Sequence, residues 1–166
     1  RVSSPHAYIP ELVLEVSAEG VSLNGAFDMC TDNEGRVYVC DTGNSRILVL
    51  NDNLTVEKSI GSFQTETGTD TFHLPQGIYV DDQGVLYVAD SGNHRVVPLD
   101  SKDILIKTWG RPETDLLEGL NEFIPLKVAA DKYGRVYVVA EDVTMGVLVS
   151  DFQKGFSGFL GSQKVS

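Results

Sequence analysis

The stretch QGIYVDDQGVLYVADSGNHRVVPLD, residues 76–100, holds three short apolar runs separated by two polar turns. The run at 77–80 meets Asp81-Asp82-Gln83-Gly84, where glycine takes a positive φ at no steric cost. The run at 85–89 is rich in the β-branched and aromatic residues that strands prefer. Asp90-Ser91-Gly92-Asn93 reads as a second turn, 96–99 as a third strand, and the weaker run at 104–109 as a fourth. Short strands joined by tight turns predict an antiparallel sheet.

The same pattern lies on both sides of this stretch, in FDMCTDNEGRVYVCDTGNSRILVLN (27–51) and LKVAADKYGRVYVVAEDVTMGVLVS (126–150). Asp32, Asp81 and Asp131 align, as do Gly35, Gly84 and Gly134, and Tyr38, Tyr87 and Tyr137, at steps of 49 and 50 residues. Fourth strands fall at 55–60 and 155–160. A four-stranded unit repeated at this period is the pattern of a propeller blade. The fold expected is all-β, a β-propeller of three full four-stranded units plus an extra strand, forming an incomplete ring. The chain divides into a tether at 1–10, the outer strand of a partial blade at 11–24, blades at 25–74 and 75–123, and a degenerate blade at 124–166. More of the protein is expected after residue 166. Three units fall short of the usual ring of about six blades, so the arc is expected to be completed by something else.

Asp41-Thr42-Gly43-Asn44-Ser45-Arg46 and Asp90-Ser91-Gly92-Asn93-His94-Arg95, each after a strand reading Gly-x-x-Tyr-Val, resemble the signature of NHL repeats. In this motif Asp41 and Asp90 accept bonds from turn amides, and Gly43 and Gly92 supply a left-handed position. Asn44 and Asn93 cap the turn, and Arg46 and Arg95 fork back onto the carboxylate. These are fold-making residues. The third unit has Ala140-Glu141-Asp142-Val143-Thr144-Met145-Gly146 in this place, without the Asn or Arg. Taken with GRPETDLL at 110–117 and GFSGFLGSQKV at 155–165, the whole chain is similar to the exported N-terminal NHL segment of Gram-positive bacterial proteins that continue into a Yip-type membrane domain. That resemblance implies an extracytoplasmic segment on the outer face of the cell membrane, anchored C-terminally and encoded beside sugar-uptake ABC transporters.

Thirteen Lys and Arg stand against 24 Asp and Glu, a formal net charge of -11. Phosphate binding needs clustered cations, so a nucleic-acid reader is excluded as an expectation. Apolar residues make up 42 % of the chain, enough for a core, yet no run is long enough to span a membrane. His6, His73 and His94 sit at unrelated positions and are read as turn or surface residues rather than zinc ligands. Asp32, Asp81 and Asp131 could face a calcium ion, but an Asp before a turn glycine is usual for turn geometry alone. Pairing Thr31 with Arg36 sets Cys30 opposite Val37 and Cys40 opposite Phe27, so the two thiols fall on opposite faces about 10 Å apart. They are expected to be packed and unbridged. Asn53-Leu54-Thr55 matches a glycan-acceptor pattern. No cofactor is expected.

Two inter-blade loops, 64–71 and 111–122, are longer than a connection requires, and long loops on a rigid scaffold carry recognition. The second offers Arg111, Glu113, Asp115, Leu116 and Leu117 as a partner-binding edge, the alternative being a packed lid. The expected function is a non-catalytic recognition or scaffold module. It would bind a protein of the cell surface (a sugar transporter or its binding protein), another part of its own chain, or a glycan. A metal-dependent propeller lyase or lactonase is the alternative.

Overall fold

The computed structural model describes residues 21–144, 146–151 and 154–161. The expected tether, residues 11–20 of the expected outer strand and His6 lie outside the described residues, and residues 21–24 form no strand. Strands β1 (Ala26–Thr31), β2 (Val37–Asp41), β3 (Arg46–Leu50) and β4 (Val56–Ile60) pair in chain order as an antiparallel sheet. A hairpin, β5 (Ser62–Thr65) and β6 (Gly68–Thr71), follows. The second unit is β7 (Gly77–Val80), β8 (Leu86–Asp90) and β9 (Arg95–Leu99). The third, β10 (Pro125–Ala130), β11 (Arg135–Ala140), β12 (Val147–Asp151) and β13 (Gly155–Leu160), again pairs in order. The first strands of the units stand side by side, β1 on β7 and β7 on β10. The described residues thus form an open arc of propeller blades, with no closed ring among them.

Each first turn is a three-residue loop. Asp32 N–H donates to the Arg36 carbonyl at 3.1 Å, Gly35 N–H to the Asp32 carbonyl at 3.3 Å, and Gly35 sits at φ 80°. Asp81 with Gly84 and Asp131 with Gly134 repeat the arrangement. A turn ending in a left-handed glycine adds one residue to the loop, so Thr31 pairs with Val37, not with Arg36. The cysteine register is corrected accordingly. Cys30 lies opposite Tyr38 and, in the same regular register, Cys40 lies opposite Asp28; the irregularity between Ala26 and Asp28 comes only beyond that pair. Both thiols therefore face the same core, and both are free.

Burial follows the two-residue period of a strand. In β8, Leu86 and Val88 enter the core shared with the first unit, while Tyr87 and Ala89 enter the core shared with the third. The middle unit is buried on both faces, which is why 85–89 reads as a continuous apolar run. On the outer flanks, Phe27 and Met29 of β1 and Val139 of β11 remain exposed.

Two expectations are corrected. The run at 104–109 is not a continuous fourth strand: it meets β9 through isolated bridges at Leu99–Leu105 and Val96–Trp109 and not through an unbroken ladder. Ile106 N–H donates to the Pro98 carbonyl at 3.0 Å, so the Pro98 nitrogen faces the same neighbour and has no proton to return. Val49 stands at the matching place in the first unit and pairs with Lys58. The segment 64–71 is not a loop but most of the β5–β6 hairpin. Phe63 and Phe72, buried with ring centroids 5.0 Å apart, pin it to the first core, and Gln64 bonds both Asp103 and Leu105 of the next blade.

Two outcomes follow from this packing. A Cβ at Gly77 would collide with the Leu126 carbonyl and the Lys127 backbone of the neighbouring blade. Gly77→Ala is therefore expected to lower unfolding stability by about 1–3 kcal/mol, read as a shifted urea midpoint. Burial pushes the Cys30 thiol up to about 11 and the Cys40 thiol up to about 12. At pH 8 neither should react with a disulfide reagent at the rate of a free thiol until denaturant is added; rapid two-thiol release from the native protein would contradict the described packing.

Candidate functional site

The residues of the Asp-Thr/Ser-Gly-Asn-x-Arg motif converge on two carboxylates with no solvent exposure, Asp41 and Asp90. Asp90 Oδ1 accepts from the His73 backbone N–H at 2.7 Å, while its Oδ2 accepts from Asn93 Nδ2 and Arg95 Nε, each at 2.9 Å. Asp41 takes the same bonds from Asn24 N–H at 2.7 Å, Asn44 Nδ2 at 2.9 Å and Arg46 Nε at 2.7 Å. The arginines do not fork onto one carboxylate. Arg95 gives its remaining nitrogens to Asp70 and to the Thr71 carbonyl, and Arg46 reaches the Ser22 carbonyl. Burial alone would raise the Asp41 pKa, but the bonds from Asn24, Asn44 and Arg46 outweigh it and hold the group below the usual carboxylate range.

The glycine plays a different part from the one its motif position suggests. The left-handed residues are Ser45 (φ 50°) and His94 (φ 57°). Gly43 and Gly92 instead allow close approach: a Cβ on Gly43 would meet Asn24 at 2.6 Å, and one on Gly92 would strike His73. Their amides donate to the Asn24 and His73 carbonyls. The hydroxyls of Thr42 and Ser91 reach forward to the Pro75 and Pro125 carbonyls, each at 2.5 Å, so one turn ties its own lead-in segment to the next blade.

The turn carboxylates are equally engaged. Asp131 accepts from the Tyr133 and Arg135 amides, from Arg135 Nε and from Tyr137 OH. Asp32 has the corresponding partners, Arg36 and Tyr38 among them, and Asp81 takes the Gln83 and Val85 amides and Tyr87 OH. Among the described residues no three His, Cys, Asp or Glu side chains lie within metal-binding reach of one another. His94 Nδ1 lies 3.2 Å from the Phe123 carbonyl, and the His73 ring abuts Gly92.

The third unit opens where the first two close. Ala140 replaces the buried Asp, and Asp142 stands where Gly43 and Gly92 admit their lead-in residues. The turn is also one residue longer: Tyr38 pairs with Val49 and Tyr87 with Pro98, but Tyr137 pairs with Val149. A groove of about 830 Å³ separates this turn from the loop leading into β10. The loop's lid and edge roles fall to adjacent residues. Leu117 is buried in the second core, whereas Leu116 is 55 % exposed at the groove. Arg111 closes the loop by donating to the Leu117 and Leu120 carbonyls, and Glu113 and Asp115 are exposed outside the groove lining. Thr114 caps the single turn at Asp115–Leu117 through the Leu116 amide.

Sequence reasoning missed Glu118, Glu122, Glu141 and Asp142, all exposed and all lining the groove. The signal was present in two separate observations, the acidic loop and the lost motif, which only the fold brings together. A second cleft of about 310 Å³, at the turns of the second and third units, is walled by Tyr79, Ile106, Asp82 and Lys132.

Replacing Asp90 with alanine would strand the Arg95 and Asn93 donors and the His73 amide. A loss of about 3–5 kcal/mol is expected, as for breaking other buried ion pairs, measured by urea unfolding of the purified chain. Retained stability would contradict the clamp.

Solved structures share this architecture at low identity. The chain is similar to streptogramin B lyase (10 % identity, TM-score 0.60, covering 87 % of this chain and 43 % of that one). It is also similar to an inferred exported protein of Bacteroides fragilis (11 %, 0.61, 88 % and 40 %), and to the extracellular domain of an inferred one-component system of B. thetaiotaomicron (15 %, 0.59, 83 % and 19 %). It spans less than half the length of the solved structures that match it first. No curated protein matches it by sequence. Residues 23–50 and 72–97 match the family described as NHL repeat. Both stretches contain the buried carboxylate and its turn, so the chain carries two NHL repeats within an arc of β-propeller architecture.

Proposed function

We propose that this chain is a non-catalytic recognition module that works outside the cytoplasm and binds a protein partner through the groove between the loop at 111–122 and the turn at 141–144. The observation that carries the reading is the contrast between the blades. In the first two units the motif carboxylates lie buried in their clamps, and in all three units the first-turn carboxylates hold their turns. In the third unit the clamp is absent and the space it would fill is an open groove with Leu116 exposed at its edge. Such a surface suits binding, since a rigid blade presents a loop whose own backbone is fixed by Arg111. The likeness to an exported protein and to an extracellular domain supports placement on the outer face of the cell membrane.

Affinity capture from the source organism's membrane and secreted fractions tests the reading. The wild-type chain is expected to retain a partner that the Leu116→Asp chain retains at least about tenfold less, the change expected when an exposed apolar anchor is lost. Identical captured sets from both chains would overturn the groove as the binding surface. Turnover of lactone or lyase substrates that is lost on chelation would instead support a metal-dependent enzyme.

A further inference from the structure

We infer that the occupant of the groove is a protein segment carrying Lys or Arg beside an apolar side chain; this rests on reading the groove as a recognition surface. Its lining includes Glu118, Glu122, Glu141 and Asp142 and, among the described residues, no Lys, Arg or His. All four carboxylates are exposed, and none is ion-paired among the described residues. The nearest loop cation, Arg111, is committed to two carbonyls and does not line the groove. Between the acids lie apolar groups, Leu116 at 55 % exposure together with Leu120 and Val143. The volume of about 830 Å³ accommodates several side chains.

The arrangement discriminates among cations. A divalent metal needs oxygens gathered within coordination distance, and no three acids of the described residues are so gathered. Carboxylates spread along both walls suit separate cations spaced along one chain. A small polyamine would meet the charges but leave Leu116 in water. A basic segment with an apolar residue satisfies both, with the charges steering its approach and the leucine contact slowing its release.

The test uses the purified chain and two short fluorescein-labelled peptides that differ only in carrying Lys or Glu among Leu and Ser. The Lys peptide is expected to bind, more weakly as salt rises, and the Glu peptide is not. The combined variant Glu118→Gln, Glu122→Gln, Glu141→Gln, Asp142→Asn should weaken binding at least about tenfold. A charge-matched control on exposed acids elsewhere, Glu34→Gln, Asp52→Asn, Glu57→Gln, Glu66→Gln, should leave it unchanged. Equal weakening by both variants would show attraction to net charge alone and overturn the proposal, as would absence of Lys-peptide binding. If the peptide fails while Leu116-dependent capture persists, the basic partner is wrong and the recognition surface stands. If both fail, both readings fall.

Discussion

Asp41 and Asp90 carry the constraint on which the arc depends. An isolated buried carboxylate would be costly, and each is made tolerable by a guanidinium, a side-chain amide and a backbone N–H. The backbone donor is the decisive member of that set. It comes from a residue 17 positions earlier in both units, Asn24 and His73, so the carboxylate fixes how much chain lies between the lead-in segment and the second turn. The next residue, Thr42 or Ser91, bonds forward to Pro75 or Pro125. One turn thereby measures the blade behind it and docks the blade ahead. A repeat of nearly constant length is the consequence.

What the sequence made legible was local. The Asp-x-x-Gly turns, the strand runs and the Asp-Asn-Arg group all interact across a few residues, so their chemistry survives in the linear order. Errors arose where geometry changed the count or the distance. Treating Gly35 as a ladder residue displaced the Cys30–Cys40 register by one, because a left-handed glycine belongs to the loop. Gly43 and Gly92 were assigned a backbone conformation when their role is contact with residues 19 positions away. Pro98 breaks the outer strand of its blade through a missing donor whose direction only the sheet defines. The hairpin at β5–β6 was hidden because its threonines resemble a loop, while the two phenylalanines that anchor it lie at its ends.

The third unit shows what the clamp does by lacking it. With alanine at 140 there is no buried charge, hence no demand for the Asn and Arg that would otherwise draw the lead-in segment down. With Asp142 in the glycine's place, a side chain stands where the backbone would have to approach. Among the described residues the turn is tied back to the lead-in segment by the bond from Glu141 N–H to the Ile124 carbonyl at 2.9 Å. The loop is then held from the other side, by Leu117 in the core and Arg111 on its carbonyls. A groove with two fixed walls results, without any dedicated cavity-forming element.

The distribution of charge follows the same division. The surplus of acids is not spread evenly over the chain by chemical role. Asp32, Asp41, Asp90 and Asp131 each have an arginine within 2.9 Å, so these fold-making acids bring their own counter-charge. The groove acids have none among the described residues. Pairing them would cost nothing in the core, since all four are exposed. An exposed acidic wall left unpaired beside an exposed leucine, on the one blade that gave up its clamp, is the arrangement expected if the matching cations belong to another chain.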